Sequence, residues 1–397
     1  MKIFSNRVNT ITASPTLAMN GLAKQMQAEG IDVINLGVGE PDFQTPKNIS
    51  DAAIEAIQAQ KTSFYTPASG LPALKQAIVE NVSQRYEAAI TTQNVSVTTG
   101  AKLSLYVLMQ VLLNPGDTVV TAAPEWVSYV EQIKLAGGEL IEVHSESSSM
   151  KLTISDLDKI KETVKLVIVN SPTNPTGQVY SKQEIQDILD WSNTHGVYVI
   201  LDEIYGQLVY NGAEFTSGLQ LQHLENSAMI IVDGVSKAYS MTGWRIGWTL
   251  ASSEIISAMN KLLGHMTSNP TVAAQYAAIE ALNGEQGTVE KMRQAFEQRL
   301  NTTFEAINKI NGVHVDVKPQ GAFYLFPQVD EKLMKLVGVS NTVELSTKIL
   351  EEAHVALPAG EGFGMPGYLR LSYAKDQDTL NEAVLRLTQF FKKYTKD

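Results

Sequence analysis

The stretch Val232-Asp233-Gly234-Val235-Ser236-Lys237-Ala238-Tyr239-Ser240-Met241-Thr242-Gly243-Trp244-Arg245-Ile246-Gly247 gathers residue types that could do chemistry. It follows a strand-like run, Ala228-Met229-Ile230-Ile231-Val232. A lysine at an apolar strand end loses solvation, which favours its neutral amine. A neutral amine attacks an aldehyde to form an imine. Arg245, eight positions after Lys237, offers a fixed fork of donors suited to a phosphate, and Ser236 adds a hydroxyl. The combination fits a small molecule that carries both an aldehyde and a phosphate.

Other polar groups also follow predicted strands. Asn174 lies in Asn170-Ser171-Pro172-Thr173-Asn174-Pro175-Thr176-Gly177, after the run Lys165–Asn170. Asp202, in Asp202-Glu203-Ile204-Tyr205, follows Val197–Leu201. The turn Thr99-Gly100-Ala101-Lys102 follows Asn94–Thr98 and opens an apolar helix, whose first amides would face an anion. A parallel sheet would carry these groups and Lys237 to one edge, where α/β proteins bind ligands. Singly, each is an ordinary turn residue.

The chain of 397 residues has net charge −11 and no cysteine. The length allows two or three domains. The charge argues against a nucleic-acid surface and makes any buried basic cluster more telling. Without cysteine there are no disulfides, thiolate nucleophiles or thiolate metal sites. The six histidines show no metal-ligand spacing. No apolar run reaches membrane length, and Met1–Arg7 lacks the apolar core of a signal peptide, so a cytoplasmic protein is expected.

Residues 1–14 read as a polar arm. Helices are expected from about 15 to 29, 48 to 60, 72 to 86, 127 to 136 and 181 to 194. Strands are expected at 32–36, 94–98, 118–121, 139–143, 165–170, 197–201 and 230–232. Gly37-Val38-Gly39-Glu40-Pro41-Asp42-Phe43 is a turn whose glycines let backbone approach another group closely. The alternation predicts an α/β fold: a large domain with a mostly parallel sheet flanked by helices. Residues 255–283 read as helical, and a long polar helix, about 286–310, leads to a smaller α+β domain. That domain would hold strands at 313–317, 321–326 and 368–373 and a helix near 343–353.

Asn174-Pro175-Thr176-Gly177, Asp202-Glu203-Ile204-Tyr205, Ser236-Lys237-Ala238 with Gly243-Trp244-Arg245-Ile246-Gly247, and Arg370-Leu371-Ser372 occur in this order. Together they resemble the class I aminotransferases of pyridoxal-phosphate fold type I, from about Val8 to Phe391. Asn35–Phe43 and Pro124-Glu125-Trp126-Val127-Ser128-Tyr129 resemble the bacterial aspartate aminotransferase branch. The resemblance implies pyridoxal 5′-phosphate held as an imine by Lys237, which also moves the substrate α-proton. It implies Asp202 on the ring nitrogen, Tyr205 and Asn174 on the ring oxygen, and Trp126 stacked on the ring. Gly100, Ala101, Lys102, Ser236 and Arg245 would hold the phosphate, with Tyr65 reaching the site of the other subunit of a homodimer. Arg370 would clamp the substrate α-carboxylate, with Gly39 adding a backbone contact. The expected division is an arm 1–14, a small domain of 15–45 with 300–397, and a large domain of 46–299.

For the substrate, the resemblance implies L-aspartate and 2-oxoglutarate. One branch of the family reads the second carboxylate with an arginine shortly before Ser268-Asn269-Pro270, where this chain has Leu263-Gly264-His265-Met266-Thr267. The other branch uses a lysine at Lys102 with hydroxyls near Ser14 and Thr16. Lys102 is therefore the candidate for the distal carboxylate. Without such a reader, transamination of aromatic amino acids, alanine or prephenate fits as well. A ligand sensor fused to a DNA-binding module is a further alternative, set against the lack of a basic leading domain.

Overall fold

The computed structural model describes residues 4–395. Residues 1–3 of the expected arm and 396–397 of the expected small domain lie outside the described residues. The strands in chain order are β1 (Ile34–Asn35), β2 (Val95–Thr98), β3 (Thr118–Ala123), β4 (Glu139–His144), β5 (Val164–Asn170), β6 (Tyr198–Asp202) and β7 (Met229–Gly234). They continue with β8 (Gly247–Leu250), β9 (Val313–His314), β10 (Tyr324–Leu325), β11 (Gln328–Val329), β12 (Val355–Ala356) and β13 (Leu371–Ser372).

One seven-stranded sheet has the order β2-β8-β7-β6-β5-β3-β4. The pairs from β7 through β4 are parallel, while β8 runs antiparallel to both its neighbours. Two reversals bring β2 back into the common direction. The carboxyl ends of β2, β5, β6 and β7 therefore share one edge. Strands buried on both faces are expected to be continuously apolar. In β5, Val167 and Val169 join the larger core, with Leu201 and Ile231. Leu166 and Ile168 point the other way, into a core shared with Ile200, Ile230 and Leu108. This is the two-residue period of a strand dividing its side chains between two layers of helices.

Local chemistry sets the helix ends. Ser181 caps helix Lys182–His195: its hydroxyl accepts from Glu184 N–H, and Glu184 Oε2 accepts from Ser181 N–H. Gly196 closes the same helix at φ 66°, in the left-handed region that glycine enters freely.

The remaining strands form three two-stranded ladders, β1 with β12, β10 with β13, and β9 with β11. Helices Gly287–Ile307, Thr342–Ala353 and Gln377–Tyr394 pack around them. The loop after β1 is pinned from the side. Arg299 holds both oxygens of Asp42, at 2.7 and 3.0 Å, and Phe43 meets Phe296 edge-on at 5.5 Å.

Several elements differ from expectation. The helical stretch 255–283 is two helices, Ser253–Met266 and Val272–Asn283. Ser268 at φ 56° and Pro270 break it, because proline removes a donor and restricts the residue before it. The expected arm contains an exposed helix, α1 (Asn6–Thr10), followed by α2 (Pro15–Ala28). Strand β8 and the helices Glu331–Val337 and Gln377–Tyr394 were not foreseen, and β9, β10 and β13 are shorter than the runs read as strands. Among the described residues, no helix is long and apolar enough to cross a membrane.

Candidate active site

A cavity of about 470 Å³ opens at the shared carboxyl edge. Gly39, Ala101, Lys102, Trp126, Asn174, Asp202, Tyr205, Ser236, Lys237, Arg245 and Arg370 all line it. The sheet thus brings together groups separated by more than 300 residues of chain, from Gly39 to Arg370. Gly100 is not in the lining but lies against Arg245, which is. Tyr65 stands apart, 91% exposed.

Each strand end delivers its side chain through a local device. Asn170, the last residue of β5, donates from Nδ2 to the Asp202 carbonyl at 2.9 Å and accepts Asn174 N–H at 2.7 Å. It therefore locks the Asn174 turn to the end of β6. Asp202 is buried and accepts the Tyr129 hydroxyl at 2.6 Å. Burial pushes the Asp202 carboxyl up to about 6, against the hydrogen bonds from Tyr129 and Ile204 N–H and the positive charge of Lys237. Lys237 donates from Nζ to the Gly39 carbonyl at 2.6 Å. Burial lowers its pKa to about 8, helped by Arg370 and Arg245 and opposed by Glu40 and Asp202.

Glycine makes the cationic end possible. Gly100 has φ 82°, and a Cβ there would lie 2.2 Å from Arg245 Nη2. A Cβ on Gly247 would lie 2.2 Å from Ala101 N. These two absences let Arg245 and the start of helix Ala101–Leu112 crowd together. The result is a guanidinium beside unpaired helix-start amides, an arrangement that binds anions. Lys102 Nζ stands 4.8 Å from the centre of the Trp126 ring, and burial with the nearby Arg245 charge lowers its pKa.

Arg370 is buried, and among the described residues it pairs with no carboxylate. An internal salt bridge would have been the ordinary use of such a residue. Instead Nη2 donates to the Gly37 carbonyl at 2.6 Å and Nη1 to Asn174 Oδ1 at 3.1 Å, while Nε has no partner. Its plane packs on Tyr324 and Phe363, at 4.6 and 4.8 Å. A buried guanidinium without a counter-ion is costly, so it is poised for an incoming anion. Tyr205 and Tyr324 share a hydroxyl hydrogen bond of 2.8 Å, and burial holds both phenols up.

The sequence reading missed several lining residues: Asn20, Glu40, Tyr129, Asn170, Thr242 and Tyr324. Of the two hydroxyls it named, Thr16 lines the cavity, whereas Ser14 caps α2 and bonds Thr16 at 2.9 Å. Asn170 begins the Asn174 motif and was within reach. Tyr129 and Tyr324 look like core aromatics in sequence, and only their hydroxyl partners reveal them.

An α/β sheet edge that gathers a half-buried amine, a buried acid and a phosphate-shaped cation cradle defines a class of group-transfer enzyme. Residues 31–387 match the family described as aminotransferase class I and II, and the chain belongs to that family; it is an aminotransferase. It is 48% identical to an aspartate aminotransferase of Bacillus sp. (strain YM-2), over 98% of this chain and 100% of that one. It is 47% identical to an asparagine–oxo-acid transaminase of Streptococcus mutans, over 99% and 100%. A solved aspartate aminotransferase from Thermus thermophilus with maleate superposes with a TM-score of 0.91 at 33% identity, covering 98% of this chain and 100% of that one.

Proposed function

We propose that the protein transfers the amino group of L-aspartate to 2-oxoglutarate, giving oxaloacetate and L-glutamate, with pyridoxal 5′-phosphate in the cavity. The observation that carries the reading is Lys237, a half-buried amine of lowered pKa that bonds the Gly39 carbonyl between an acid and a cation cradle. The residues fit the group. Arg245, Ser236 and the amides of Ala101 and Lys102 would hold its phosphate, in the space that Gly100 leaves by lacking a Cβ. Asp202 would hold its ring nitrogen, with Tyr129 fixing the carboxylate. Asn174 spends Oδ1 on Arg370, which leaves Nδ2 to donate to the ring oxygen beside the Tyr205 hydroxyl. Trp126 would cover a ring face. When bound, the group supplies an aldehyde that captures the amino nitrogen and a ring that accepts electrons from Cα.

The chain's own residues do the rest. Lys237 Nζ would take the α-proton of the amino-acid donor and, in the reverse half-reaction, deliver a proton to the α-carbon that comes from the 2-oxo acid. Arg370 orients the α-carboxylate through Nε and the remaining guanidinium donors, with Gly39 alongside. Lys102 reads the distal carboxylate. Lys102, Lys237, Arg245 and Arg370 face only Glu40 and Asp202 across the lining, which suits a dianionic substrate despite the chain's charge of −11.

The reading includes a homodimer in which Tyr65 reaches the other site. Phe64 and Tyr65, 81% and 91% exposed, are large aromatics for which a second copy is the natural cover. It includes a cytoplasmic enzyme and a unit of 15–45 with 300–397 that moves over 46–299. The test is the half-reaction: L-aspartate alone should convert the cofactor absorbance from its aldehyde-derived to its amine form. Failure with every amino acid would overturn the proposal. A panel of aspartate, phenylalanine, alanine and prephenate separates it from the aromatic, alanine and prephenate range.

A further inference from the structure

Asparagine is a weak helix former, and in mid-helix its amide competes for backbone groups. Asn20 lies inside α2, yet its side chain makes no capping bond. It lines the cavity together with Thr16 and Leu17, on the same face of the helix. Its amide is held by a chain of hydrogen bonds whose direction is fully determined. Gly37 N–H can only donate, and it meets Asn35 Oδ1 at 3.0 Å. The other atom of that amide is therefore Nδ2, which donates to Asn20 at 2.7 Å. The atom it meets must be Oδ1. Asn20 Nδ2 is left over as a two-proton donor, and among the described residues it has no partner. The Gly37 carbonyl, at the other end of the chain, accepts from Arg370 Nη2.

The geometry points to Asn20 as a specificity-determining donor for the carbonyl oxygen at the far end of the substrate's side chain, with Asn35 as the positioning residue that fixes its polarity. This inference rests on the aminotransferase reading proposed above and deepens it. Arg370 and Asn20 are tied through Gly37 and Asn35, so the α-carboxylate clamp and the distal donor keep a set offset. Such a pair suits a short amino acid bearing an oxygen at both ends. Asn20 carries no charge, so its N–H can bond the oxygen of either a carboxylate or a carboxamide, whereas Lys102 adds a preference for the charged form. The substrate class of the donor is therefore aspartate and asparagine together.

The polarity argument gives a test that ordinary structural damage does not imitate. In Asn35→Asp the side chain still accepts Gly37 N–H but has no donor left. Asn20 then turns Nδ2 toward position 35 and shows Oδ1 to the cavity. The holoenzyme and the variants Asn20→Ala and Asn35→Asp are assayed with aspartate, asparagine and alanine. In Asn20→Ala, kcat/KM for aspartate and asparagine falls about tenfold or more relative to alanine, the loss of one hydrogen bond from a neutral donor. In Asn35→Asp, aspartate falls at least as far, and asparagine falls less because its own amide donates to the turned carbonyl. Calorimetric binding of succinate and succinamate against propionate gives the same ordering without turnover. Equal change for all three amino acids, or none, overturns the inference. A wild-type enzyme inactive on both aspartate and asparagine sinks the functional reading first; activity with unmoved ratios sinks only this inference.

Discussion

The floor and the wall of the cavity are built in opposite ways. The floor is the carboxyl edge of a seven-stranded sheet, with Asp202 ending β6 and Asn174 and Lys237 in the turns just past β5 and β7. Backbone ladders on both sides fix those positions. The wall comes from two-residue ladders and α2: Gly37 and Gly39 after β1, Tyr324 in β10, Arg370 before β13, and Asn20 in α2. Side-chain bonds hold it: Asp42 to Arg299, Arg370 to Gly37 and Asn174, Asn35 to Asn20. A floor fixed by ladders would suit bond-making on the ring of the proposed cofactor. A wall of side-chain bonds suits substrate choice, because one substitution retunes it without disturbing the sheet.

The contrast can be broken by substitution. Lys237→Ala, on the floor, should lower turnover at least about 10⁴-fold while the fold survives, read by single-turnover kinetics and thermal melting. Arg370→Lys, on the wall, should lower kcat/KM about 100-fold, mostly through KM, because one ammonium cannot replace a fork. A floor-like collapse of kcat would erase the distinction. The amine of Lys237 gives a pH test. With its pKa lowered to about 8, the neutral form is lost as pH falls through 8. Borohydride-trapped uptake of pyridoxal phosphate by the apoprotein should slow about tenfold per pH unit below that point. A rate flat from pH 6 to 8 would place the controlling proton elsewhere. Tyr324→Phe removes the partner of the Tyr205 hydroxyl and should cost about tenfold in kcat/KM. Ser181→Ala, remote from both regions, should cost about 1 kcal/mol of stability in urea unfolding and leave kinetics unchanged.

The same contrast explains what the sequence disclosed. Each floor residue follows an apolar run, Asp202 closing its strand and Asn174 and Lys237 in the turns beyond theirs, so periodicity alone carries all three to one edge. The wall gives no such signal. Arg370 was legible as an arginine between two leucines, but the strand around it shrinks to Leu371–Ser372 because only that pair bonds β10. Tyr324 and Asn20 depend on partners far along the chain, which no local pattern encodes. Strand β8 escaped notice because Gly243–Gly247 reads as turn, and an antiparallel strand breaks the strand–helix alternation. Pro270 did mark the break between two helices, but apolar spacing on either side masked it.

One further consequence follows from β8 running against β7. Lys237 and Arg245 both lie in the single connection between those strands, residues 235–246. One short length of chain thus carries both groups that would hold the proposed cofactor, the amine at its aldehyde and the guanidinium at its phosphate, like the jaws of a calliper cut from one piece. Adding a residue there would spoil both grips together. Lengthening the turn after β6 would displace Tyr205 and spare both. Recognition of the proposed cofactor would in this sense be a measurement of length, with the sheet reversal holding the scale.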